Sequence, residues 1–504
     1  MTLTRRHFLQ HATASATIAG LAPELSAAGA ATHITQLPAL ALSSAIKGGQ
    51  VSCTEVMQAY LKQIRTLNKN FNAITSLPDE GTLLKEAAVA DKDLRAGRYR
   101  GWMHGFPHAV KDLADAQGLV TTAGSPLFNE VADKDDVHVA RMRQAGAIFV
   151  GKTNVPEFGY GSQSYNPVFG ATGCAYDATR TAGGSSGGAA AALALNMVPV
   201  ADGSDMMGSL RNPGAFNNVI GFRPTPGVVP LSQGFTAELA CNGPMGRNVS
   251  DTAMLLATMA GHDPAFPGSA TLNPRKFAGP LARDWQGTRI GWLGDFDGYL
   301  ATEPGLLALC EAALGTFRDV GCKVDSAQIS YSMPELWQTW LTFRHWSARG
   351  GALPLYENPQ MRAQMKPELI WEIEGGANLS GDQLSVAARA RGRWHQALQQ
   401  AFDQFDFLVL PTAQVFPFDK TIHWPKQING RNMDTYHRWM EVVIPGTLGG
   451  CPVANVPAGF NPQGLPMGLQ IIGPRHHDMA TLQMAFAYEQ ASRWNLDYPP
   501  KALL

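Results

Sequence analysis

Six residues near the middle of the chain, Gly183-Gly184-Ser185-Ser186-Gly187-Gly188, run directly into the alanine-rich stretch Ala189 to Leu195. Alanine costs least in a helix, so that stretch is expected to be one. The residues before it, Gly159 to Gly188, are dense in Gly, Ser, Thr and Asn and are expected to form a loop. Glycines let the backbone take conformations closed to other residues and approach another molecule closely. A loop that feeds a helix start also presents free N–H groups and a partial positive charge. Ser185 and Ser186 are therefore placed where a carbonyl group could be held. Taken alone, the same run reads equally as a flexible Gly-Ser turn.

Two further stretches carry chemical character. Gly203-Ser204-Asp205-Met206-Met207-Gly208-Ser209-Leu210-Arg211-Asn212-Pro213 follows an expected strand at Met197 to Ala201. Gly203 to Gly208 is expected to be loop, and successive N–H groups in it could stabilise an oxyanion beside Ser209. Upstream, Gly105-Phe106-Pro107-His108-Ala109-Val110-Lys111-Asp112 puts a lysine at the end of an apolar strand. Burial disfavours an ammonium ion, so such a lysine can serve as a proton acceptor near neutral pH. By itself Lys111 reads as an ordinary structural lysine.

Around these stretches the apolar pattern alternates between short strands and helices, which argues for an α/β fold with a central mixed sheet covered by helices on both faces. Ser52 with Glu55 fits a capping box ahead of the apolar positions Val56, Tyr60, Leu61 and Ile64. Helices are expected over Leu83 to Arg95, Val139 to Gln144, Pro304 to Val320 and Ser385 to Phe402. Strands are expected over Ala147 to Val150, Arg289 to Leu293, Phe407 to Leu410, Ala454 to Pro457 and Gly468 to Ile472. A length of 504 residues favours several domains. No repeat or polar linker divides the chain, so residues 32 to 504 read as one domain. Hydrophobic residues make up 45% of the chain, enough for a large core, and the formal net charge is −1. No run of basic residues marks a nucleic-acid groove.

Residues 1 to 31 read differently. Arg5-Arg6 precede a short Ala-rich stretch, with small residues around Ala27 to Ala31. This is the pattern of a twin-arginine export signal, which implies a bacterial, periplasmic or exported protein. The alternative is a disordered cytosolic tail carrying two chance arginines. The apolar stretch is too short and too polar for a stable membrane span. The six cysteines include no C-x-x-C pair, so they indicate neither zinc nor a redox dithiol. A Cys310–Cys322 bridge is compatible with export but not established by spacing. His104 with His108, and His476-His477-Asp478, lack a zinc-ligand spacing and read as core or solvated residues. No cofactor or metal is expected.

Together the three stretches resemble the amidase signature family, which shows an apolar-strand lysine, then G-G-S-S-G-G, then a G-T/S-D-x-G-G-S-I/L-R-x-P run. The second serine falls 24 residues after the first, matching the family. Agreement continues at Gly151-Lys152-Thr153-Asn154 with Glu157-Phe158, at Gly221 to Thr225, at Gly243 to Arg247 with Asp251, at Leu410-Pro411-Thr412 and at Gly464 to Gln470. The resemblance thus spans roughly residues 40 to 500. It implies the amidase signature fold and an acyl-enzyme mechanism with Ser209 as nucleophile. Ser185 would be the proton-relaying serine on a cis peptide, and Lys111 the base. The backbone N–H groups of Met206, Met207, Gly208 and Ser209 would form the oxyanion hole. Lys152, which also follows an apolar strand, is implied to be structural or adjacent to substrate.

Three departures stand out. Met207 replaces the first of two glycines before the nucleophile, adding a Cβ that restricts φ and a side chain that could crowd the carbonyl. Asn218 stands where glycine is common, and Cys174-Ala175-Tyr176 replaces a frequent Asn-Pro-Trp. Two rivals share the signature: the A subunit of a tRNA-dependent amidotransferase, and a catalytically impaired binding protein of the same fold. A third reading takes Gly184-Ser185-Ser186-Gly187-Gly188 as a G-x-S-x-G nucleophile elbow with Ser186 as nucleophile. It needs a preceding strand, and Asp177 to Ala182 is a poor one. Trp337, Trp340, Trp346, Trp371, Trp394, Trp424 and Trp439 gather in the second half of the chain, as core or as pocket lining. The expected substrate is a small hydrophobic or aryl amide, ester or carbamate, with no nucleic acid involved; a homodimer is compatible with the sequence.

Overall fold

The computed structural model describes residues 34–231 and 239–504. The expected export signal lies outside the described residues. Near the amino terminus, helix α1 (Cys53–Phe71) begins with the expected capping box, in which the Ser52 side chain accepts from the Glu55 N–H and the Glu55 carboxylate accepts from the Ser52 N–H. Its apolar face carries Val56, Tyr60, Leu61 and Ile64 into the core. A three-stranded sheet follows, built from β1 (Ile74–Thr75), β2 (Pro107–Lys111) and β3 (Ile148–Thr153). β3 is central, antiparallel to β1 and parallel to β2. All five residues of β2 are buried, so Lys111 ends a strand that offers its charge no water.

The larger sheet holds eight strands: β4 (Ala201–Asp205), β5 (Ile220–Arg223), β6 (Cys241–Gly246), β7 (Arg289–Trp292), β8 (Lys323–Ser326), β9 (Phe407–Pro411), β10 (Val453–Phe460) and β11 (Pro466–Ile472). Their order is β8-β7-β9-β11-β10-β5-β6-β4. β7 runs parallel to β8 and β9, and every other pairing is antiparallel, so the sheet is mixed as the sequence predicts. Helices Arg211–Phe216, Leu306–Ala313 and Asp478–Ser492 pack on β10 and β11. β9, β10 and β11 are buried along nearly their whole length, the pattern of strands covered on both faces.

Local expectations fail in four places. Met197 to Val200 is a series of bends, and the strand starts at Ala201 and runs through Gly203 to Asp205. Polar β4 is a strand because its backbone pairs in register with Cys241 to Met245, which local propensity cannot see. Asp177–Thr181 is also a strand, pairing with Gly173–Cys174 in a two-stranded hairpin. A second hairpin, Tyr165–Asn166 with Gly170–Ala171, further subdivides the expected loop. Finally, the expected helix over Pro304 to Val320 divides into Leu306–Ala313 and Gly315–Asp319. All six cysteines are free and buried, so Cys310 and Cys322 form no bridge.

The candidate active site

The glycine-rich run delivers its serines between the two sheets. The Gly184–Ser185 peptide bond is cis. Helix α2 (Gly187–Ala194) starts two residues later and is buried throughout, as its alanines allow. Lys111 Nζ lies 2.8 Å from Ser185 Oγ, 2.8 Å from Ser186 Oγ and 2.9 Å from Ser204 Oγ. Ser204 comes from β4, so one amine gathers three hydroxyls from two segments. The approach depends on Gly203, because a Cβ there would sit 2.7 Å from Ser186 Oγ.

Burial pushes the Lys111 amine down to about 7, while the carboxylates of Asp202 and Asp205 pull the other way. Asp202 is held closely. It accepts from the Lys111 N–H at 3.2 Å and pairs with His108 Nε2 at 2.9 Å and His138 Nε2 at 3.6 Å. Burial alone would raise this carboxyl, but its hydrogen bonds to the two histidines hold it well below the usual range. Asp205 is likewise kept ionised against its burial by Arg211, at 2.9 Å, and Arg223, at 3.2 Å. Sequence reasoning missed both aspartates as supports of the site, although both lie in or beside the stretch that ends at Ser209. Their spacing reads as strand and loop until the pairing of β4 is known.

Asp205 also engages one of the four expected oxyanion donors. The Gly208 N–H donates to Asp205 Oδ1 at 2.9 Å and the Leu210 N–H to Asp205 Oδ2 at 3.1 Å. Gly208 is therefore occupied inside the protein. The N–H groups of Met206, Met207 and Ser209 have no protein acceptor among the described residues. The left-handed turn falls on Gly208, at φ +81°, and Met207 keeps an ordinary φ. The expected restriction from the Met207 Cβ is thus not exercised, and the side chain lies in the core with one edge on the cavity.

Ser185, Ser204, Met206, Met207 and Ser209 open onto one cavity of about 570 Å³, whereas Ser186 and Lys111 stand behind its wall. Ser186 Oγ faces Lys111 and the Ser204 carbonyl, and no histidine hydrogen-bonds to it among the described residues. The nucleophile-elbow reading does gain a preceding strand, Asp177–Thr181, but its serine does not reach the cavity. Lys152 is buried apart from this group: its Nζ donates to the Ala114 carbonyl and to Thr121 Oγ1, and stands 3.8 Å from Asp112. His104 bonds the Ala90 carbonyl, and Asp478 takes the Thr225 N–H and hydroxyl, so both serve the fold. Of the seven tryptophans only Trp346 borders the cavity. Trp340, Trp394 and Trp439 are fully buried core. The aromatic lining comes instead from Phe158, Tyr160, Phe343 and Tyr436.

The other two departures meet each other. Asn218 has φ +55°, a left-handed conformation that asparagine tolerates better than most side chains and that explains the glycine common there. Its Nδ2 donates to the Tyr176 hydroxyl at 2.9 Å and to the Trp494 carbonyl at 2.9 Å. Both lie away from the cavity.

Comparison with known proteins agrees with this geometry. Residues 55–482 match the amidase family. An acylamidase of Rhodococcus erythropolis is 30% identical over 475 residues, covering 93% of this chain and 98% of that protein. The A subunit of the glutamyl-tRNA(Gln) amidotransferase from Thermosynechococcus vestitus is 31% identical, covering 89% and 96%. Among solved structures, a bacterial aryl acylamidase of the amidase signature family superposes with TM-score 0.85 at 27% identity, covering 91% of this chain and 97% of that one. The chain belongs to the amidase signature family and is an amide-cleaving hydrolase.

Proposed function

We propose that this amidase acts through an acyl-enzyme on Ser209, with Ser185 and Lys111 as its proton relay. The observation that carries the reading is a buried amine, poised near neutrality, 2.8 Å from Ser185 Oγ behind a cavity onto which both Ser185 and Ser209 open. Neutral Lys111 accepts the Ser185 hydroxyl proton as Ser185 accepts that of Ser209. The Ser209 Oγ–carbon bond forms, and the oxyanion is received by the N–H groups of Met206, Met207 and Ser209. The stored proton then passes to the leaving nitrogen as the C–N bond breaks. Water repeats the sequence on the ester and releases the acid.

The substrate class we propose is a hydrophobic or aryl amide, with esters and carbamates open to the same acyl chemistry. The aromatic lining and the resemblance to an acylamidase and an aryl acylamidase support it. Similarity to an amidotransferase component supports a second reading, glutamine amide hydrolysis within a complex. The Arg5-Arg6 pattern favours the first, since an exported enzyme would not meet cytosolic tRNA.

The test is a fluorophosphonate probe with the adduct located by peptide mass spectrometry. Labelling is expected at Ser209, slowed by Lys111→Ala and unaffected by Lys152→Ala. An adduct at Ser186, or none in folded protein, would overturn the mechanism. Faster turnover of glutamine than of acetanilides would move the substrate reading to the amidotransferase.

A further inference from the structure

Two arginines in the cavity wall, Arg344 and Arg391, play no part in the relay. Arg344 projects from helix α3 (Met333–Glu357) and lines the cavity beside Met206. Its Nε donates to Glu372 Oε1 at 2.9 Å, from helix α4 (Pro367–Gly375), and its Nη2 to the Tyr436 hydroxyl at 3.1 Å. The third engaged N–H, on Nη1, points at Met206 Sδ at 2.9 Å. A thioether is a weak acceptor. A guanidinium carries five N–H groups, so one on each Nη has no protein acceptor among the described residues. The plane is fixed: Tyr160 lies 4.1 Å from the guanidinium carbon, and the Tyr436 hydroxyl donates to Glu372 at 2.6 Å. Arg344 is only 7% exposed and lines the cavity, so a ligand that fills the cavity shuts its unused donors off from solvent.

Charge narrows what these donors take. Burial would raise the Glu372 carboxyl, but the Arg344 charge, together with hydrogen bonds from His345 and the Tyr436 hydroxyl, outweighs it and keeps the group ionised. Burial pushes the neighbouring His437 down to about 3, so it is neutral at physiological pH. The Arg344–Glu372 pair brings no net charge of its own, and a carboxylate brought to Arg344 would face Glu372 as well. His345 Nδ1, 2.9 Å from Glu372 Oε2, and Arg391, elsewhere in the cavity wall, are the basic groups that would oppose that repulsion, so the matching carboxylate is the competing ligand to test. A neutral oxygen needs no balancing charge.

We infer that Arg344 is a specificity-determining residue that binds an uncharged acceptor oxygen of the substrate, such as a second carbonyl, beyond the amide being cleaved. The inference rests on the amide-hydrolysis reading and deepens it. The preferred substrates are then amides whose acyl or amine part carries a neutral carbonyl within reach of Arg344. Substrates that are hydrocarbon throughout leave those donors buried and unpaired, which costs affinity.

Binding to the Ser209→Ala enzyme tests this independently of the nucleophile assignment. Calorimetric titration would compare two pairs of anilides in which a ketone C=O is replaced by C=CH2, on the ring in one pair and at the end of the acyl chain in the other. In at least one pair the ketone is expected to bind about 10- to 100-fold more tightly, the range of a hydrogen bond to a charged group. Arg344→Met with Glu372→Gln, which removes both charges together, is expected to abolish the difference, the alkene binding more tightly than it does to the parent because no donor is left unpaired. Should that variant not fold, Arg344→Lys keeps the charge without the fork and is expected to reduce the preference. Equal binding within both pairs, a preference that survives loss of Arg344, or tighter binding of the matching carboxylate than of the ketone would overturn the inference. Missing label at Ser209 would instead count against the acyl-enzyme mechanism alone.

Discussion

Lys111 shows how burial and nearby charge share control of one amine. Burial lowers it to about 7, and Asp202 is the first of the groups that pull it back up. The proposed relay needs the neutral amine, so kcat/KM for an anilide is expected to fall about tenfold per pH unit below about 7. Asp202→Asn removes the leading upward influence, so the acid limb is expected to move to lower pH, read from a pH–rate profile. The same group links pH to stability. Its folded value lies below its unfolded value of about 10.5, so between about 7 and 10.5 the unfolded chain holds the extra proton and stability rises with pH. Met207 is a second residue-scale case. Met207→Gly removes a buried side chain and is expected to cost about 2–5 kcal/mol in chemical denaturation while admitting bulkier acyl groups. Lys111, Ser185 and Ser209 could be singled out as candidates in the sequence because their neighbours form recognisable stretches. Asp202, Asp205 and Arg344 were not, since their partners lie on other strands and helices.

At the scale of elements, the turn from β4 into helix Arg211–Phe216 is held by one carboxylate. Asp205 receives the Gly208 and Leu210 N–H groups and the guanidinium groups of Arg211 and Arg223. Asp205→Ala leaves two buried cations without their partner. It is expected to destabilise the protein by about 3–5 kcal/mol, read by denaturant midpoint, and to slow fluorophosphonate labelling because the loop before Ser209 loses its clip. Ser52→Ala is a milder counterpart, expected to cost about 1 kcal/mol through the cap of α1 with no change in labelling rate. That cap was legible because a capping box lies within one turn of sequence. β4 was not, because Gly203, Ser204 and Asp205 have low strand propensity and pair only with distant β6.

Across the whole molecule, Tyr176 and Asn218 tie the hairpin before the glycine-rich run to the carboxyl-terminal segment. The Tyr176 hydroxyl donates to the Tyr498 carbonyl at 2.6 Å, and Asn218 reaches both Tyr176 and Trp494. A double-mutant cycle of Tyr176→Phe and Asn218→Gly is expected to show about 0.5–3 kcal/mol of coupling in thermal unfolding, with labelling of Ser209 unchanged. Where the protein works is a question for its first residues. Arg5→Lys with Arg6→Lys is expected to retain the chain in the cytoplasm, judged by cell fractionation. The mixed sheet, its flanking helices and the family were written in the sequence, since hydrophobic periodicity and short ordered stretches are local properties of a chain. Only the tertiary structure decided that Gly208 gives its N–H to Asp205, that four of the seven tryptophans are buried core, and that Arg344 lines the cavity with more donors than its protein partners use. Each depends on which residues, far apart in sequence, share one low-dielectric space, and that is settled by packing and not by the order of residues along the chain.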